Sequence, residues 1–166
     1  MAVKYVNRMG QTFYLHEGKT KTGKRKYFLS QKKEGVLAES IPDGYEIYEN
    51  PDAHVYFRKK VPHLVTNEEI AVVRGGLRRF APDRQCLVDV RKEYIVVHYS
   101  KAGSFYHPVL RFTLIDEEHR KFAVNRWCFL GSIDDWMRLS EGEGELPKLV
   151  ETYTPHIGRD SFYELM

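Results

Sequence analysis

The chain has 166 residues, 42% of them hydrophobic and 30% charged, enough for one compact domain, or one domain with a small module attached. Wholesale disorder is excluded, and so is a membrane-spanning helix, because no run approaches the roughly 20 consecutive apolar residues that a span needs. The net charge is a modest +3, but its distribution is uneven. Residues 1–62 hold 12 Lys/Arg against 7 Asp/Glu, residues 63–100 hold 6 against 5, and residues 101–166 hold 8 against 11. A basic front and a mildly acidic back point to two surfaces with different partners.

Residues 1–62 read as short strands and turns, and an aromatic content of 13% favours β-rich packing. Val3–Asn7 and Gln11–Glu17 flank Arg8-Met9-Gly10, a hairpin-sized connection with the Gly that a tight turn wants. Phe13 and Leu15 alternate with Tyr14 and His16, so one face of that strand can be buried. A second hairpin turns at Lys21-Thr22-Gly23 and returns along Arg25–Ser30. Ile41-Pro42-Asp43-Gly44 is a turn in which Pro presets φ and Gly permits a positive φ. It leads to further strands at Tyr45–Tyr48 and Val55–Arg58, separated by Glu49-Asn50-Pro51-Asp52.

Val61-Pro62-His63-Leu64 marks the boundary to a second part, residues 63–166. Thr66-Asn67-Glu68-Glu69 matches a capping box, and Ile70, Val73, Leu77 and Phe80 fall on one helical stripe. Gly75-Gly76 interrupts that helix at roughly 1 kcal/mol each, so either a neighbour packs closely there or the helix breaks; Pro82 ends it. Four strands follow, at Gln85–Val90, Tyr94–Ser100, Val109–Ile115 and Lys121–Leu130. Leu110, Phe112 and Leu114 alternate with Arg111 and Thr113, and the short connections favour antiparallel pairing. Ser132 is expected to cap a short helix carrying Ile133, Trp136 and Met137, followed by a flexible acidic loop at Glu141–Glu145. Pro147 then opens a last helix that runs to Tyr153. The predicted fold is therefore α+β: a small N-terminal antiparallel β-unit, then a four-stranded antiparallel sheet with one helix before it and two after.

Gly18–Lys33 carries Lys19, Lys21, Lys24, Arg25, Lys26, Lys32 and Lys33 and no acid. Cations on a protruding hairpin suit phosphate, since contact with a polyanion releases condensed counterions. Tyr14, Tyr27 and Phe28 could offer a ring for base stacking. Lysines on an exposed hairpin also guard against edge-to-edge aggregation, and that bland reading competes. The run lacks the Gly-Lys-Ser/Thr ending of a phosphate loop. Arg74, Arg78, Arg79 and Arg84 form a second basic group, in which Arg74 and Arg78 are neighbours on the helix surface. Arginines there can fork onto phosphate or carboxylate, or pair with acids of the same fold.

The seven histidines complete no catalytic motif: HExxH, zinc-spaced His/Cys pairs and a Gly-x-Ser-x-Gly elbow are all missing. Asp134-Asp135 reads as dipole-complementing acids in a first helical turn. Trp127 and Trp136 read as core, and Cys86 and Cys128 as small buried hydrophobes. Two cysteines make neither a disulfide framework nor a metal site, and the opening MAVKYVNRMGQTFY has no apolar stretch of signal-peptide type. The expected setting is cytoplasmic, with no cofactor, no metal and no membrane partner.

The stretch Thr12–Lys59, with GKTKTGKRKYF and IPDGYEIYENP, resembles uncharacterised conserved bacterial proteins with no assigned activity. The resemblance implies a bacterial cytoplasmic setting and supplies no site residues. The residues themselves point to a non-enzymatic binding module for nucleic acid or a similar polyanion, using Lys19, Lys21, Lys24, Arg25, Lys26, Arg74 and Arg78. The alternatives are a protein-interaction or scaffold role for the acidic, aromatic C-terminal surface, and a hydrolase or nuclease assembled from distant histidines, carboxylates and Tyr94 or Tyr99.

Overall fold

The computed structural model describes residues 1–130 and 133–166, and the chain divides into two compact units, Met1–Lys60 and Val61–Met166. The first unit contains β1 (Lys4–Val6), β2 (Thr12–Lys19), β3 (Arg25–Ser30), β4 (Tyr45–Glu49) and β5 (Val55–Lys59). β1, β2 and β3 form an antiparallel sheet in that order, and β4 pairs with β5 separately. Residues 36–38 extend the β1 side of the sheet: Glu17 N–H donates to the Val36 carbonyl at 2.9 Å and Ala38 N–H to the Leu15 carbonyl at 2.8 Å. Few apolar side chains are fully covered here, chiefly Leu15 and Ala38. Larger rings remain half-buried against one another, with Phe57 stacked on Tyr45 at 5.1 Å and tilted against Tyr27 at 5.8 Å. Polar clamps tie the two hairpins together. Asn7 Nδ2 donates to the Ala53 carbonyl at 2.9 Å, and Arg8 and Tyr5 both reach the Glu49 carboxylate, at 2.9 and 2.8 Å.

The second unit begins with α1 (Asn67–Phe80), whose capping box forms: the Thr66 side chain accepts from Glu69 N–H, and the Glu69 carboxylate accepts from Thr66 N–H. Five strands follow, β6 (Gln85–Arg91), β7 (Tyr94–Ser100), β8 (His107–Asp116), β9 (Lys121–Leu130) and β10 (Ile133–Glu145), then α2 (Leu146–Tyr153) and two short 3-10 turns. The strands pair antiparallel in the order β10-β9-β8-β7-β6. The helices supply Ile70, Val73, Leu77, Leu149 and Val150 to a core shared with Ile95, Val97, Leu110, Phe112, Phe122 and Val124. The double glycine does not break α1. A Cβ on Gly76 would lie 2.0 Å from Val150 Cγ1, whereas one on Gly75 would meet open space. Gly76 is therefore where α2 comes close to α1, and the loss of helix propensity there is repaid by packing.

The expectation of one four-stranded sheet with three helices is overturned. Among the described residues strands take about 45%, in three sheets of three, two and five strands, with two α-helices. The error lies at residues 133–145. The spacing of Ile133, Trp136 and Met137 also fits a strand, in which Met137 and Leu139 face the core while Trp136 faces Trp127 across the ladder to β9. That ladder pairs residues 133–138 and 143–145 with β9, and the two indoles meet edge to face at 5.1 Å. Trp127 and Trp136 are thus half-buried on the sheet face away from the helices rather than in the core. Glu141–Glu145 is no free loop: Glu143, Gly144 and Glu145 re-enter the pairing after a bulge, with an Arg138–Glu143 ion pair beside it. Asp134 and Asp135 lie on this strand, not in a helical turn. Ser132, read as a helix cap, lies outside the described residues.

Candidate functional site

The basic hairpin is β2–β3. Its tip is fixed by Thr20, whose carbonyl accepts from Gly23 N–H at 2.9 Å and whose N–H donates to the Lys24 carbonyl at 2.8 Å. Gly23 takes a positive φ of 84°, which an L side chain would resist. The turn leaves Lys19, Lys21, Lys24, Arg25 and Lys26 all exposed within one stem.

Pairing register sorts these cations. Lys19 opposes Arg25 and Glu17 opposes Tyr27, so these four share one face, where Arg25 Nε lies 3.6 Å from Glu17 Oε1. Gly18 opposes Lys26 and His16 opposes Phe28 on the other face. There Phe28 stacks on His16 at 5.0 Å with the rings 9° from parallel, and Lys26 Nζ lies 6.0 Å from the Phe28 centroid. His16 is 4% exposed and held by a 2.7 Å contact between Nε2 and the Lys32 carbonyl, whereas Phe28 is 45% exposed. Of the three rings named from the sequence, Tyr27 is engaged with Phe57 and Tyr14 is half-buried, which leaves Phe28. His16 escaped sequence reasoning. Only the register, one residue opposite Phe28, reveals it as the ring's support.

Arg74 and Arg78 belong to the second unit and do not join the hairpin cations within one fold element. They project from α1 over a cleft of about 380 Å³ with Arg84 and Cys86. Arg84 Nε donates to the Ile157 carbonyl at 3.0 Å. Burial pushes the Cys86 thiol up to about 11, and the nearby Arg84 charge only partly opposes this. Of the seven cations named from the sequence, five therefore belong to the first unit and two to the second.

The residues considered for catalysis are dispersed. Tyr99 and His107 meet edge to face at 5.8 Å, and burial lowers the His107 pKa. Tyr94 lies against the Arg111 guanidinium at 4.5 Å. His156 Nδ1 contacts Ser161 Oγ at 2.8 Å, a local contact between residues five apart. His119 hydrogen-bonds Asp116 at 2.9 Å, and the bonds from His119 lower the Asp116 pKa. Among the described residues no group of three or more His, Cys, Asp or Glu is placed to hold a metal ion. No helix there is long and apolar enough to cross a membrane. Comparison with known proteins finds no matching family model, no matching curated protein and no matching solved structure.

Proposed function

We propose that the protein is a non-enzymatic binding module for nucleic acid or a similar polyanion, working through the β2–β3 hairpin. One observation carries this reading: exposed cations at a rigid turn stand beside the exposed Phe28 ring, which is backed by buried His16. Cations neutralise phosphates, and a ring braced from behind can receive a base without losing much side-chain freedom. Nothing on the hairpin reads base edges, so sequence preference is slight. The reading includes a bacterial cytoplasmic setting, supported by the two unpaired cysteines and by the resemblance carried by residues 12–59. The test is fluorescence anisotropy with labelled single-stranded oligonucleotides of unrelated sequence. Lys21→Glu/Lys24→Glu/Lys26→Glu should weaken binding to all of them alike, with the fold intact. Equal binding by wild type and triple variant would reduce the hairpin to a solvated edge.

A further inference from the structure

The second basic group lies over a different kind of surface. Beneath Arg74 and Arg78 runs β6, an outer strand of the five-stranded sheet. Its pairing with β7 is unbroken from Gln85–Ser100 to Arg91–Tyr94, without a bulge. Every second residue of such a strand turns its N–H and C=O away from its neighbour. From Gln85 to Val88, no backbone hydrogen bond from the described residues reaches that outer side. The opposite edge of the same sheet is guarded. β10 is bulged between Arg138 and Glu143, and its Ser140 N–H donates to the Met166 carbonyl at 3.2 Å. The Gln85–Val88 stretch is regular and carries neither Pro nor charge, so it invites another strand, whereas the charges of β6, Asp89 and Arg91, lie beyond it.

The cleft above this edge is lined by Arg74, Arg78, Arg84, Leu77, Cys86 and Val88 among others, and no carboxylate lines it. Arg74 and Arg78 are exposed and form no ion pair among the described residues. Arg84 is held in place: beyond its bond to Ile157, a Cβ on Gly158 would come within 2.8 Å of its Nε. We propose that this cleft docks an extended acidic segment of a partner protein, which adds a strand to β6 and turns alternate carboxylates towards Arg74 and Arg78. Strand addition supplies main-chain bonds, and period-two side chains supply specificity. Arginine forks match carboxylates in two-point contacts. A nucleic acid fits less well, because phosphates only accept hydrogen bonds and would leave the strand's carbonyls unmet. The cleft lining also offers no aromatic ring for a base.

The probe is a fluorescein-labelled (Thr-Glu)4 peptide, followed by anisotropy, beside the same sequence methylated at every backbone nitrogen and beside labelled dT20. Wild type should bind the unmethylated peptide. Arg74→Glu/Arg78→Glu should weaken it at least tenfold, and backbone methylation should do the same at unchanged charge. Lys21→Glu/Lys24→Glu/Lys26→Glu should bind the peptide as wild type does, which separates this site from the hairpin. Circular dichroism should show every variant folded, since each replaced residue is exposed. Equal binding of the methylated peptide would reduce the effect to charge and overturn strand addition. Loss of peptide binding in the hairpin variant, or none lost in the arginine variant, would overturn the location. No peptide binding by wild type, with dT20 binding that falls in the arginine variant, would give the cleft to nucleic acid instead.

Discussion

The two units are stabilised by different means. Among the described residues, the connected apolar core belongs wholly to Val61–Met166, where Phe112, Phe122, Ile95 and Leu110 are fully buried. In Met1–Lys60 the fully covered apolar side chains are few, Leu15 and Ala38, and the rings of Tyr27 and Tyr45 pack against Phe57 with all three half-buried. Order there comes from turns and polar clamps such as Arg8–Glu49 and Asn7–Ala53. A short chain cannot both bury a large core and display a dense cation array, because both draw on the same few residues. The first unit favours surface and the second favours core. Where a binding hairpin is wanted, a light core is enough, provided that hydrogen bonds hold the turn.

The largest effect should separate the two units directly. Phe112→Ala removes a fully buried ring and should cost about 3–5 kcal/mol in urea unfolding. Phe57→Ala truncates a half-buried ring and should cost about 1–2 kcal/mol, since less area is lost. Equal costs would break the contrast.

A second pair of substitutions probes how the larger core closes. Gly76→Ala drives a methyl into the stiff, buried Val150 and should destabilise by about 1–2 kcal/mol even after the gain in helix propensity. Gly75→Ala meets open space and should stabilise by up to about 1 kcal/mol. Thermal melts of the two neighbours should therefore shift in opposite directions. Shifts of the same sign would deny the close approach of α2 to Gly76.

The charged rim of the second unit gives a smaller, pH-dependent effect. Burial alone would raise the Glu69 carboxyl. The hydrogen bonds from Arg120 and Thr66, with the Arg120 charge, outweigh that and hold it below its ordinary value. A carboxylate with a lowered folded pKa adds stability above its unfolded pKa, near 4.3, and loses it as the pH falls through the folded value. Glu69→Gln should thus cost about 1 kcal/mol at pH 7 and flatten the stability profile below about pH 4.3. A variant whose profile still parallels wild type there would remove Glu69 from that account.

Much of this organisation is legible in the residues. The Thr66–Glu69 box, the Ile70-Val73-Leu77 stripe and the Leu110-Phe112-Leu114 alternation each specify a local geometry that survives in the tertiary structure. Residues 133–145 mislead because Ile133, Trp136 and Met137 sit at helical spacings of three and four while Met137 and Leu139 are two apart, and the choice is made by pairing with β9, which local spacing does not reveal. The glycine pair is ambiguous for the same reason, since Val150 lies more than seventy residues away. At the hairpin, composition reveals the cations but not their division between two faces, which depends on pairing register. The arginine cleft stays hidden because it needs α1 laid beside an open strand edge.

The salt dependence of oligonucleotide binding tests the central claim most directly, that the lightly built unit serves its cationic hairpin. On single strands each neutralised phosphate contributes a slope of about −0.7 in log affinity against log salt. Wild type should bind dT20 with a steep negative slope, and Lys21→Glu/Lys24→Glu/Lys26→Glu should flatten it by about 2, three contacts' worth, while its unfolding midpoint stays put. Wild-type binding that ignores salt, or a triple variant with an unchanged slope, would contradict the account.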